Sequence, residues 1–153
     1  MIINKESLFE LEPIVPMHTS KMTHTDPKGR KTSYGLVESG YDVRLGQDIW
    51  LFPGRRFVLA STFEYFDMPN NLMGMVMNKS TWARMGVDVS RSTNLEGGWQ
   101  GWLTLEITYS KLKPLKLYKG CGIAQIIFHE IAHPVNYSGK YNSQPNKPVP
   151  AKF

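Results

Sequence analysis

The sequence predicts an all-β barrel or sandwich. Three observations carry the prediction: short runs rich in β-branched and aromatic residues recur along the chain, turn signals separate them, and residues 102–109 alternate with the two-residue period of a strand. In chain order, residues 18–34 are polar and Thr/Lys-rich around a Pro-Lys-Gly turn, and read as a long loop. Residues 41–45 alternate, and residues 49–52 end at Pro53-Gly54. Residues 56–66 are rich in strand formers and stop at an Asp-Met-Pro-Asn-Asn stretch, and residues 72–77 form a short apolar run. Residues 80–85 predict a helical turn or two, ended by Gly86. In residues 102–109, Trp102, Thr104, Glu106 and Thr108 share one face, while Leu103, Leu105, Ile107 and Tyr109 share the other. Residues 115–118 turn at Lys119-Gly120, and residues 122–128 read as a buried strand. The tail, residues 142–153, has three prolines and no periodicity, so it is expected to be extended and to order on a ligand or partner surface.

At 153 residues, 41% of them hydrophobic, the chain suits one domain over residues 1–153 and has enough apolar side chains to bury a core. Gly 13 and Pro 10 are too few for a collagen-like or low-complexity chain. Cys121 is the one cysteine, so no intrachain disulfide framework exists. No apolar run reaches the ~18 residues of a membrane span, and the acidic start has no signal-peptide core. A soluble, cytoplasmic protein without membrane partners is the expectation. Charge is uneven: residues 1–76 hold eight Lys/Arg against nine Asp/Glu (−1), whereas residues 77–153 hold ten against four (+6). Such an excess suits a polyanionic ligand, and equally a lysine-rich solvated surface.

Three features could carry chemistry. Ser80 and Arg84 lie four apart on the short helical segment, so a hydroxyl and a guanidinium would share a face near free N–H groups, an arrangement suited to an anion. The same spacing fits an N-capping serine on a surface turn. Glu106 sits mid-strand opposite a wholly apolar face; it would serve as a general base if its own face is covered, and is an ordinary exposed glutamate if not. His129-Glu-Ile-Ala-His133 spells the zincin pattern, but a strand precedes it, Pro134 follows, and no His, Asp or Glu lies downstream as a third ligand. Chance occurrence at a strand end explains it better, and no catalytic zinc or other metal held by protein side chains is expected. Charge and aromatics together leave a basic β-barrel binding single-stranded nucleic acid as an alternative of another class, without any recognition motif to support it.

Taken in order, GYDVRLG (residues 40–46), KSTWARMG (79–86), LEGGWQGWLTLE (95–106), GIAQIIF (122–128) and KYNSQ (140–144) resemble the dCTP deaminase family of the dUTPase-like superfamily. The Ser-x-x-x-Arg and Gly-Trp-x-Gly-x-x-x-x-Glu elements are specific as a set; residues 1–38 match loosely. The resemblance implies a distorted β-barrel or jelly-roll of the dUTPase-like type with one or two short helices, assembled as a homotrimer with interfacial active sites. It implies hydrolytic deamination of dCTP to dUTP and ammonia, with Mg²⁺ bound only through the substrate triphosphate, in the cytoplasm of a bacterium or of a virus-infected host. By the same resemblance Glu106 is the general base, Ser80 holds the attacking water and Arg84 orients the carboxylate. Lys79, Ser80 and Thr81 fall where the family binds phosphates, with Trp82 and Ala83 bordering the nucleotide. Glu96 falls at the deoxyribose contact, Thr104, Leu105 and Glu106 line the base pocket, and Gln125, Tyr137, Lys140 and Gln144 close on the nucleotide. The resemblance also raises dTTP as an inhibitor and a bifunctional deaminase–dUTPase, releasing dUMP and diphosphate, as an alternative activity. Departures weigh against the latter: Glu96 stands where Asp is common, Trp99 where dUTPases have Tyr, and the tail lacks their Gly-rich phosphate loop. Lys79 replaces a usual Arg, turning a bidentate phosphate contact into a point charge.

Overall fold

A computed structural model describes residues 1–92 and 94–153. In chain order the elements are β1 (Ile2–Ile3), α1 (Lys5–Leu11), β2 (Ile14–Val15), β3 (Lys21–Thr25), β4 (Lys31–Val37), β5 (Gly40–Arg44), β6 (Ile49–Leu51), β7 (Phe57–Asp67), β8 (Leu72–Asn78), α2 (Ser80–Ala83), β9 (Val87–Asp88), β10 (Gln100–Tyr109), β11 (Leu115–Leu117) and β12 (Gly122–Glu130). Among the described residues, β1, β12, β5, β4 and β3 follow one another in a sheet that β8 joins through β12; β2, β7, β10 and β9 form a second, and β11 pairs with β6. The pairings between these strands are antiparallel. The sheets curl into a half-barrel, an all-β architecture. Among the described residues, no helix is long and apolar enough to cross a membrane.

The core explains the patterning. Strand β12 is bordered by β8 along one edge and by β5 and then β1 along the other, with Ile126 opposite both Tyr41 and Val76. A strand enclosed this way reads as a continuous apolar run, and Ile123, Ala124, Ile126 and Phe128 are fully buried. In β10 alternation holds throughout: Leu103, Leu105, Ile107 and Tyr109 are buried, and the intervening Trp102, Thr104, Glu106 and Thr108 are half-buried. From residue 40 onward each expected strand is found, give or take a residue or two; β9 was not foreseen, and α2 is a single turn where one or two were expected before Gly86.

Two expectations are corrected. Residues 18–34 are largely the β3–β4 hairpin rather than a loop. Its turn is organised by Asp26, whose Oδ1 accepts the N–H groups of Lys28 at 2.8 Å and Arg30 at 2.9 Å, while Arg30 Nε donates to Oδ2 at 2.6 Å. Arg30 Nη2 then reaches the carbonyl of Lys116 at 2.7 Å and the guanidinium lies over Trp82, so tertiary contacts hold two polar strands that local propensity does not favour. The tail carries no helix or strand, as expected, but it packs on this chain's own β10: Gly101 and Gln144 form a parallel bridge, and the Trp102 N–H donates to the Gln144 carbonyl at 3.2 Å. The short α1, with Leu8 alone buried, offered no apolar stripe to read.

Candidate active site

Strand β10 carries the site. Its half-buried face presents Thr104 and Glu106 to a cavity of about 730 Å³, also lined by Leu59 from β7, by Asn94, Glu96 and Trp99 from the loop before β10, and by Tyr137, Tyr141, Gln144, Val149 and Ala151 from the C-terminal segment. The question left open by alternation, whether the Glu106 face is covered, is thereby answered: loop and tail cover it in part. The backbone is held at the same point, since the Glu106 N–H donates to Ser92 Oγ at 2.8 Å.

The Gly-Trp-x-Gly motif now has a physical reading. Gly98 turns the chain at φ +74°, a left-handed conformation that other residues adopt with strain. Gly101, at φ +137°, lets the tail approach: a Cβ there would lie 2.5 Å from the Gln144 nitrogen. Between them Trp99 packs against Phe66, with centroids 6.2 Å apart, and its indole N–H donates to the Tyr141 carbonyl at 2.8 Å. Thr104 completes the attachment. Its hydroxyl donates to Gln144 Oε1 at 2.6 Å and accepts the Val149 N–H at 3.0 Å.

Of the residues singled out in the sequence, Glu96, Thr104, Glu106, Tyr137 and Gln144 thus meet at one cavity. The others lie elsewhere in the chain. Ser80, Thr81, Ala83 and Arg84 are exposed on and just after α2, outside the cavity lining. Trp82, expected beside the nucleotide, is a core residue whose Nε1 donates to the Gly122 carbonyl at 2.7 Å. Leu105 is fully buried on the apolar face of β10, so its main chain alone can approach the cavity. Gln125 stands mid-sheet opposite Asp42 and Met77. Lys140 is exposed and donates from Nζ to the Lys152 carbonyl. Lys79 is turned inward: Nζ contacts the Asp42 carboxylate and donates to Ser33 Oγ at 2.8 Å, leaving 11% of the side chain exposed. Within this chain the ammonium is engaged by a buried carboxylate. His129 and Glu130 close β12 in extended backbone, so the His-Glu-x-x-His residues do not share a helical face.

Leu59, Asn94, Tyr141, Val149 and Ala151 were not legible as site residues. No pattern of residue type marks them, and the cavity gathers them from segments up to 92 positions apart (59 to 151).

The chain and its fold have known relatives. A family model described as dCTP deaminase-like matches residues 41–131. The chain is 32% identical over 157 residues to a dCTP deaminase of Herpetosiphon aurantiacus, covering 80% of this chain and 84% of that one. It is 34% identical over 151 residues to a dCTP deaminase of Campylobacter lari, covering 77% and 81%. Among solved structures, a dUTPase from phage phi11 of S. aureus superposes with a TM-score of 0.57 at 13% identity, over 83% of this chain and 95% of that chain. The 2′-deoxycytidine 5′-triphosphate deaminase of Agrobacterium tumefaciens gives a TM-score of 0.54 at 16% identity, over 84% of this chain and 47% of that chain. The fold is therefore of the dUTPase-like type, and by its sequence the chain belongs to the dCTP deaminase-like family.

Proposed function

We propose that this protein hydrolyses dCTP to dUTP and ammonia, with Glu106 as general base. The observation that carries the reading is the meeting of Glu106, Glu96, Thr104, Tyr137 and Gln144 at one partly covered cavity of about 730 Å³, in a chain whose curated relatives are dCTP deaminases. A cavity of that size suits a nucleotide. In the reaction, the water oxygen bonds to cytosine C4 as Glu106 takes a proton from it. The carboxyl passes that proton to ring N3, takes the second proton from the C4 hydroxyl and delivers it to the exocyclic nitrogen, so that the C4–N bond breaks, ammonia leaves and the C4 carbonyl of dUTP forms. Glu96 would accept the hydrogen bond of a sugar hydroxyl, and the tail residues would enclose the nucleotide.

On this reading the single chain holds an incomplete site. Ser80 and Arg84 are exposed away from the Glu106 cavity, so a neighbouring copy in a homotrimer would bring them to it. There the Ser80 hydroxyl would hold the water and the Arg84 guanidinium would orient the carboxylate and stabilise developing charge. Mg²⁺ would arrive on the triphosphate.

The test incubates the protein with dCTP and Mg²⁺ and follows ammonia and diphosphate separately. Ammonia alone is expected. Both products would mark the bifunctional activity, and neither would overturn the reading. Glu106→Gln should abolish turnover while dCTP binding persists; turnover in that variant would remove Glu106 as the base.

A further inference from the structure

We propose that Ser92 is a positioning residue for Glu106. The inference rests on the assignment of Glu106 as general base and concerns how the strand holds that side chain. On one edge β10 pairs with β7 from Gln100 to Thr108, with a bulge between Trp102 and Thr104. On its other edge β9 pairs only with Thr108 and Tyr109, and the tail takes the Trp102 N–H through the Gln144 carbonyl. Between those two supports no strand among the described residues pairs with the edge at Glu106, and its N–H there is taken by a side chain: Ser92 Oγ, at 2.8 Å. Ser92 is itself 6% exposed, and its own N–H donates to the Val89 carbonyl at 3.1 Å, so the hydroxyl is presented from a fixed turn. The amide nitrogen is bonded to the Cα that bears the side chain, so holding this N–H fixes where the Glu106 side chain starts from the strand. A partly buried N–H that lost this acceptor would lose its protein partner in a strand already interrupted by the bulge two residues earlier. Catalytic proton transfer tolerates little such movement.

The experiment compares Ser92→Ala and Ser92→Thr in the full chain, well below the melting temperature. Ser92→Ala should lower kcat for dCTP about tenfold with KM within about twofold, which corresponds to about 1.4 kcal/mol at the transition state. It should also speed hydrogen exchange at the Glu106 amide. Ser92→Thr, which keeps the acceptor, should restore kcat to within about twofold of the parent protein. An unchanged kcat in Ser92→Ala, or no rescue by Thr, would overturn the inference. Should Ser92→Ala fail to fold, Ser92→Cys, with a weaker acceptor of similar size, must give an intermediate kcat, and a parental value would overturn the inference equally. Glu106→Gln separates the two layers. If it stays active, the base assignment itself fails; if it is dead while Ser92→Ala is parental, only the role of Ser92 fails.

Discussion

Thr104 donates its hydroxyl hydrogen to Gln144 Oε1 at 2.6 Å, and this one contact joins the strand that carries Glu106 to the C-terminal tail. Thr104 Oγ1 also accepts the Val149 N–H at 3.0 Å, so the hydroxyl donates to the tail and accepts from it. Thr104→Val keeps the shape and removes both bonds, a local loss of about 1–3 kcal/mol. Residues 145–153 should then become more sensitive to limited proteolysis, and the Val149 amide should exchange faster. Unaltered protection would show that the tail is held by other contacts.

The separation of Ser80 and Arg84 from the Glu106 cavity within one chain makes subunit complementation the sharpest test of shared sites. Glu106→Gln and Arg84→Ala should each be inactive alone. Refolded together in equal amounts, they should regain roughly a quarter of the parental sites, because a site then needs an intact Glu106 from one copy and an intact Arg84 from the next. Mixtures as inactive as the single variants would place both residues in one chain's site.

Lys79 and Asp42 form an ion pair in which the side chains are 11% and 5% exposed. Removing one member of such a pair leaves the other charge buried, at a cost of about 3–5 kcal/mol. Lys79→Met should therefore lower the denaturation midpoint strongly, and Asp42→Leu added to it should recover part of the loss. A Lys79→Met protein of parental stability but much weakened dCTP binding would return Lys79 to the phosphate site.

Acid should unfold the protein through carboxylates that the folded chain holds ionised. Asp88 lies below the ordinary 3.8 because the hydroxyl and N–H of Ser90 and the amide of Asn78 donate to it. Asp26 lies below it too: burial pushes that carboxyl up, but hydrogen bonds from Arg30 and Lys28 outweigh the push. Depressed acids leave the folded state with fewer protons than the unfolded one, so their stabilisation is complete above about pH 4 and is lost as pH falls through the folded values. Glu64 works in the opposite direction, raised by burial against the pull of Arg44. The denaturation midpoint should fall below about pH 4, and Asp88→Asn should flatten that fall. A midpoint constant through that range would refute the assignment.

Burial pushes the Cys121 thiol up to about 12, and the residue is 2% exposed. A thiol reagent at about pH 8 should label it only after unfolding. Labelling of the native protein at the rate of a free thiol would contradict the buried placement.

How much was legible varies by element, for physical reasons. Strand β10 was readable because one of its faces is core and the other is half-covered, which imposes strict alternation. Strand β12 was readable because it is an apolar run of strand length after a turn signal, with Ile123, Ala124, Ile126 and Phe128 in the core. The β3–β4 hairpin was not, because its strands are largely polar and are held by pairing with β5 and by contacts of Asp26 and Arg30, the latter reaching distant Trp82 and Lys116. Within the candidate site, Glu106 and Glu96 were identified as part of a motif whose glycines admit the tail, whereas Ser92 was missed because a serine's worth depends on which N–H it faces.

The sequence by itself determined the fold class, the motifs that tie the chain to its family, and the strand that carries Glu106, since periodicity and spacing are local properties. Only the tertiary structure decided which of those residues meet. It brought Glu96, Thr104, Tyr137 and Gln144 to Glu106, paired Lys79 with Asp42, and left Ser80 and Arg84 on another surface. The reason is chain geometry: residues far apart in sequence become neighbours through strand order and tail path, and no local pattern records either.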